Sequence, residues 1–171
     1  MKRPLKIGVL GPHKATDEEL QMGHAVGAAI ARNGAILLCG GLGGLMEAAA
    51  RGAKEAGGLT IGILPGDTTD EANRYMDIAL PTGLGAFRNM LLVRMSDAVI
   101  AVRGEYGTLS EIAAALRLKV PVIGLQTWSL LKNGAVDPGL VPADTPKQAV
   151  AEALRRAQQR FLAPTPRRGS E

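Results

Sequence analysis

The stretch Ala35-Ile36-Leu37-Leu38-Cys39-Gly40-Gly41-Leu42-Gly43-Gly44-Leu45-Met46-Glu47 runs from an apolar segment through a glycine-dense turn straight into helical spacing. Strand, tight turn and helix in that order form half of a parallel crossover unit. The alternation extends in both directions along the chain. Short apolar runs lie at 5–10, 35–39, 59–64, 77–80, 98–102 and 120–125, and helical spacing fills 16–33, 44–56, 85–96, 108–118 and about 146–161. Strands that are almost wholly apolar belong in a sheet covered on both faces. The pattern therefore predicts an α/β, Rossmann-like, doubly wound and mainly parallel sheet flanked by helices, as a single domain over 1–162 with a flexible basic tail over 163–171.

Composition agrees with one domain: 171 residues, 46% of them hydrophobic, suffice for one core and are too few for two. The formal charge of +4 suggests an anionic partner until its position is considered. Lys147, Arg155, Arg156, Arg160, Arg167 and Arg168 face only Glu152 and Glu171 in the last 27 residues, which accounts for the whole excess; the preceding 144 residues are neutral. With five aromatics in the chain, there is no material for a base-stacking platform, and nucleic acid is not an expected partner. The single cysteine, Cys39, excludes an internal disulfide and a Cys-rich metal site. Neither a signal-peptide core nor an 18-residue apolar run is present, so the expectation is a soluble cytoplasmic protein without membrane contact.

In a doubly wound sheet ligands gather where strands end and helices begin. Gly40, Gly41, Gly43 and Gly44, with Met46 just beyond, have the composition of a phosphate cradle, because glycine allows positive φ and lets backbone N–H groups approach an anion. A tight turn without a ligand explains the same glycines. The loop after the fifth run, Arg103-Gly104-Glu105-Tyr106-Gly107-Thr108-Leu109-Ser110-Glu111, again opens a helix. Its Glu111 has two readings, as the distal partner of a Thr108-x-x-Glu111 capping box like Thr16-x-x-Glu19, or as a functional carboxylate. The polar segment 64–73 has the look of a mobile flap with ligand-facing side chains, but an ordinary solvated loop has the same composition and is the favoured reading. Arg88 falls in the first turn of an apolar helix, where a cation is electrostatically misplaced without an anion beside it. His13 follows the first strand, towards a ligand; His24 sits beside Gly23 and Gly27, a pair that reads as helix packing, with a subunit interface as one setting for it, rather than as chemistry.

Four motifs in order, Gly40-Gly41-Leu42-Gly43-Gly44-Leu45-Met46-Glu47-Ala48, Gly62-Ile63-Leu64-Pro65-Gly66, Thr82-Gly83-Leu84-Gly85-x-x-Arg88-Asn89 and Gly107-Thr108-Leu109-Ser110-Glu111-Ile112, resemble the signatures of the LOG-like (SLOG) Rossmann proteins. The bacterial branch near the molybdenum cofactor carrier proteins is most similar; LONELY GUY phosphoribohydrolases, long mislabelled lysine decarboxylases, and DprA-like DNA-processing proteins are related. The resemblance implies a binding protein for a phosphorylated nucleotide-like or pterin ligand, either a nucleoside monophosphate or the molybdenum cofactor, working as a homo-oligomer, dimer or tetramer. It also implies the alternative of a phosphoribohydrolase cleaving the N-glycosidic bond of nucleoside 5′-monophosphates, with Arg88 and Glu111 catalytic and no catalytic cofactor or metal. A DprA-like role is the third alternative. Ligand contacts are implied for Gly40, Gly41, Gly43, Gly44, Met46, Asn89, Arg103, Gly104, Gly107 and Thr108. The chain departs from the hydrolase pattern at Arg103-Gly104-Glu105, where that family has Pro-Gly-Gly, and the charged Cβ-bearing Glu105 favours binding over turnover.

Overall fold

A computed structural model describes residues 3–162; the expected tail, 163–171, lies outside them. Seven parallel strands form one sheet in the order β4-β3-β2-β1-β5-β6-β9. The chain starts at its centre with β1 (Lys6–Leu10) and steps outward through β2 (Ile36–Cys39), β3 (Thr60–Leu64) and β4 (Ile78–Pro81). It then returns to place β5 (Ala98–Val102), β6 (Val122–Leu125) and β9 (Leu140–Ala143) on the other side. Ile7 is paired with Leu37 on one flank and Ala98 on the other, so the reversal of strand order falls between β1 and β5.

Period-two alternation divides the core. Ala98, Ile100 and Val102 of β5 pack under α1 (Asp17–Arg32), α2 (Leu45–Glu55) and α5 (Pro146–Leu162), whereas Val99 and Ala101 pack under α3 (Arg88–Met95) and α4 (Tyr106–Arg117). All five β5 residues are buried, as an all-apolar run requires. Helix α1 starts on the expected capping box, with Thr16 accepting from the Glu19 N–H and Glu19 accepting from the Thr16 N–H.

Four expectations need correction. The segment after β6 contains three strands that apolar patterning missed: a two-residue hairpin, β7 (Leu131–Lys132) with β8 (Ala135–Val136), and the edge strand β9. Gly23 and Gly27 do serve helix packing, but between α1 and α2 of this chain rather than at a subunit interface, since a Cβ on Gly27 would lie 1.8 Å from the Ala49 carbonyl oxygen. The mobile-flap reading of 64–73 stops short of Asn73, which donates its backbone N–H to the Gly41 carbonyl and its side-chain amide to the Gly41 and Leu42 carbonyls. Finally, α4 begins at Tyr106 with Glu105 as its N-cap, which puts Thr108 inside the first turn. No Thr108–Glu111 capping box forms.

Candidate functional site

The glycine loop after β2 is shaped by three different demands. Gly41 and Gly44 have φ of +75° and +67°, and a Cβ on Gly44 would lie 1.9 Å from the His13 carbonyl oxygen. These two answer to backbone geometry, the tight-turn reading. Gly43 is less confined: a Cβ there would only touch His13 at 3.4 Å. Gly40 makes room for a side chain. A Cβ at residue 40 would lie 2.6 Å from Nη1 and Nη2 of Arg88 and 2.6 Å from Sδ of Met46.

Arg88 comes from the opposite face of the sheet. A short 3-10 turn, Gly85–Phe87, delivers it as the first residue of α3, a helix start with no side-chain cap. The residue is 8% exposed, and its guanidinium donates through Nη1 to Asn89 Oδ1 at 2.7 Å and keeps a buried Nε that has no protein partner. A buried donor without an acceptor costs roughly 1–3 kcal/mol, so the position is maintained against a penalty. Burial also lowers the Arg88 pKa, and the charge of Glu111 pulls it back up.

Glu111, in the second turn of α4, is likewise 8% exposed. Burial pushes its carboxyl up to about 7, with the Arg88 charge opposing the rise. The group therefore exchanges its proton near neutrality, able to donate a hydrogen bond in one state and accept in the other. Together with Asn89, Ser110, Phe87 and Met90 it lines a groove of about 190 Å³ between α3 and α4. Phe87 is 84% exposed. Beneath the site, burial drives the Cys39 thiol up to about 11, which makes it a packing group rather than a nucleophile.

The β5–α4 loop is organised separately. Arg103 holds φ +50°, unusual for a residue with a Cβ, and donates to Glu18 Oε1 on α1 at 3.1 Å. Gly104, at φ +99°, leaves space that the Thr108 side chain fills. The Arg103 carbonyl accepts from the Thr127 hydroxyl and the Gly104 carbonyl from Trp128 Nε1 at 3.1 Å, while the Tyr106 ring packs 5.5 Å from the indole. Gly107 faces open space. Thus Gly40, Met46, Arg88 and Asn89 come together with Glu111 close enough to influence the arginine, whereas Arg103 is engaged by Glu18 through Nη2 and, like Arg88, keeps a buried Nε without a hydrogen-bond partner. Sequence reasoning missed Glu18 and Trp128; the chain's single tryptophan was a usable signal, and an exposed glutamate 85 residues from its partner was not.

A family model, the SLOG cluster4 family, matches residues 4–151. The chain belongs to that family. This SLOG protein is 42% identical over 146 residues to an uncharacterised protein of Archaeoglobus fulgidus, a match covering 85% of this chain and 92% of that one. Among solved structures it is similar to the molybdenum cofactor binding protein from Rippkaea orientalis, with TM-score 0.80, 39% identity, and 95% and 100% of the two chains covered. The Moco carrier protein from Chlamydomonas reinhardtii gives TM-score 0.80 at 35% identity, over 92% and 99%. Among the described residues of this SLOG protein, no helix is long and apolar enough to cross a membrane, and no group of three or more His, Cys, Asp or Glu is placed to hold a metal ion.

Proposed function

We propose that this SLOG protein binds and carries a phosphorylated pterin of the molybdenum cofactor class without turning it over. Its similarity, over nearly the whole chain, to proteins whose names record that cargo supports the ligand class. The observation that carries the site is Arg88: a nearly buried guanidinium with an unsatisfied Nε, held against a residue with no side chain. A phosphate is the natural acceptor, since guanidinium and phosphate match in charge and geometry. On this reading Gly40, Gly41, Gly43, Gly44 and Met46 form the wall, Asn89 orients Arg88, and Arg103, Gly104, Gly107 and Thr108 border the far side.

A buried carboxyl raised to about 7 is a weaker electrostatic partner for the cationic sugar centre of glycosidic cleavage, but it suits a general acid, so the Glu111 environment alone does not separate carrier from hydrolase. The deciding test is incubation with a panel of nucleoside 5′-monophosphates. We expect stoichiometric binding and no free base; release that vanishes in Glu111→Ala would overturn the carrier reading.

We further propose that the protein self-associates through α3 and its approach. Ile78, Leu80, Leu84, Phe87, Met90 and Met95 are all exposed, and residues 78–95 contain no acidic side chain. Such a concentration of apolar surface favours a protein partner. Light scattering should report a dimer or larger assembly that Phe87→Glu converts to monomer.

A further inference from the structure

On the other side of the glycine loop lies a second concavity, of about 440 Å³, walled by His13, Lys14, Glu47, Arg51 and Tyr75. Its volume is that of a small-molecule site. The β1–α2 contact creates it: Gly44 has no side chain, so the His13 backbone closes directly on the start of α2. Glu47, in the first turn of α2, points a carboxylate oxygen towards Gly43, 3.9 Å from where a Cβ would stand there. Lys14, Arg51 and His13 line the same cavity as this carboxylate. Arg51 is only loosely engaged elsewhere, 4.0 Å from a Glu55 carboxylate that already meets His24 at 2.6 Å. Tyr75 supplies an aromatic wall, steadied by Arg74, whose guanidinium lies 5.0 Å from the ring centroid and bonds the Tyr75 hydroxyl at 2.8 Å.

We infer that this cavity takes the heterocyclic end of the ligand whose phosphate lies against Gly40 and Arg88, and that Glu47 selects a ring edge carrying an amino group, a ring N–H and a carbonyl. That edge is common to pterins and guanine. A carboxylate has two acceptor oxygens and no donor, so it matches the adjacent amino and ring N–H groups in parallel. Lys14, Arg51 and His13 offer the donors that the neighbouring carbonyl needs. Adenine presents a bare ring nitrogen at the corresponding place and would meet the carboxylate with a lone pair. The glycine loop joins the two places: Gly44 lines this cavity, Gly40 lies against Arg88, and the four residues of chain between them span at most about 14 Å. A bicyclic ring bearing a phosphate ester bridges such a separation. The inference rests on the proposed phosphate site, and it adds the recognition of the ring.

Isothermal titration with GMP, AMP and 6-hydroxymethylpterin tests it. The wild-type chain should bind GMP about tenfold or more tightly than AMP, the factor expected of a charge-assisted hydrogen bond, and should bind the unphosphorylated pterin. Glu47→Gln should remove the GMP preference and the pterin binding while AMP binding persists, and Arg51→Ala should weaken GMP and pterin in parallel. Arg88→Ala should weaken GMP and AMP by the same factor and leave the pterin unaffected. Equal affinities for GMP and AMP, or a preference that survives in a folded Glu47→Gln protein, would overturn the ring assignment alone. Indifference of both nucleotides to Arg88→Ala would instead overturn the phosphate site beneath it.

Discussion

The guanidinium of Arg88 occupies the space a side chain at Gly40 would need: a Cβ there would lie 2.6 Å from both terminal nitrogens. Gly40 has no positive φ, so alanine is conformationally permitted and the nearest obstacles are the ends of two flexible side chains, the Arg88 guanidinium and Met46 Sδ. Gly40→Ala should thus act on ligand binding by moving Arg88, with the fold preserved. Losing a charge-assisted contact of about 1.5–3 kcal/mol weakens binding roughly 10- to 100-fold. Calorimetry with GMP should show Gly40→Ala and Arg88→Ala weakened to similar extents; full affinity in Gly40→Ala would place the phosphate elsewhere.

Glu111 makes stability depend on pH in a direction opposite to that of a salt-bridged carboxylate. Its carboxyl ionises near 4.5 when unfolded and about 7 when folded, so the unfolded state binds fewer protons between these values and stability falls as pH rises through the window. The full shift corresponds to about 3 kcal/mol, reached above pH 7. Glu111→Gln imitates the neutral form. Thermal unfolding should show the variant clearly more stable than wild type at pH 8 and nearly equal at pH 4.5; equal midpoints at both would mean that Glu111 is solvated.

Six of the seven strands of the main sheet were legible because they are short and apolar; five of them are largely buried, Ala98–Val102 most plainly, while the edge strand Ile78–Pro81 is apolar but exposed. The seventh, Leu140–Ala143, carries Pro142, which argues against a strand interior; it is tolerated because β9 pairs only with β6 and forms the sheet's edge. The candidate site was legible as a set of residue types, Arg88 and Glu111 above all, but not as a geometry. Thr108-x-x-Glu111 matched a capping box in sequence and failed because the helix starts two residues earlier, at Tyr106. The Arg103–Glu18 pair and the Trp128–Gly104 bond join distant segments, and nothing local encodes them.

Glycines that look alike in sequence should separate by mutation. A Cβ on Gly27 would meet the Ala49 carbonyl oxygen at 1.8 Å and one on Gly52 the His24 carbonyl oxygen at 2.1 Å, so α1 and α2 cannot keep their separation if either becomes alanine. Each substitution should cost about 3 kcal/mol or more, the upper end of overpacking. Gly107 lies within α4 with open space around it, and Gly107→Ala should stabilise by about 0.5–1 kcal/mol through helix propensity. Urea unfolding distinguishes the two outcomes. If Gly107→Ala also weakens nucleotide binding while raising stability, the glycine serves the ligand; unchanged affinity would remove it from the site.

Trp128 fixes the loop that carries Arg103. Its indole N–H holds the Gly104 carbonyl at 3.1 Å while the Thr127 hydroxyl holds the Arg103 carbonyl, so the left-handed turn at 103–104 is clamped from the β6 side. Trp128→Phe retains an aromatic ring for Tyr106 to pack on and removes the donor. The expected loss is about 1 kcal/mol in unfolding free energy, with faster amide exchange in residues 103–105 and little change at Gly40 or Arg88. Circular dichroism follows the unfolding, because the substitution removes the chain's only tryptophan. Exchange that accelerates equally around Gly40 would show that the two glycine loops move as one unit; exchange unchanged at 103–105 would show that the Thr127 hydroxyl alone is sufficient to hold the turn.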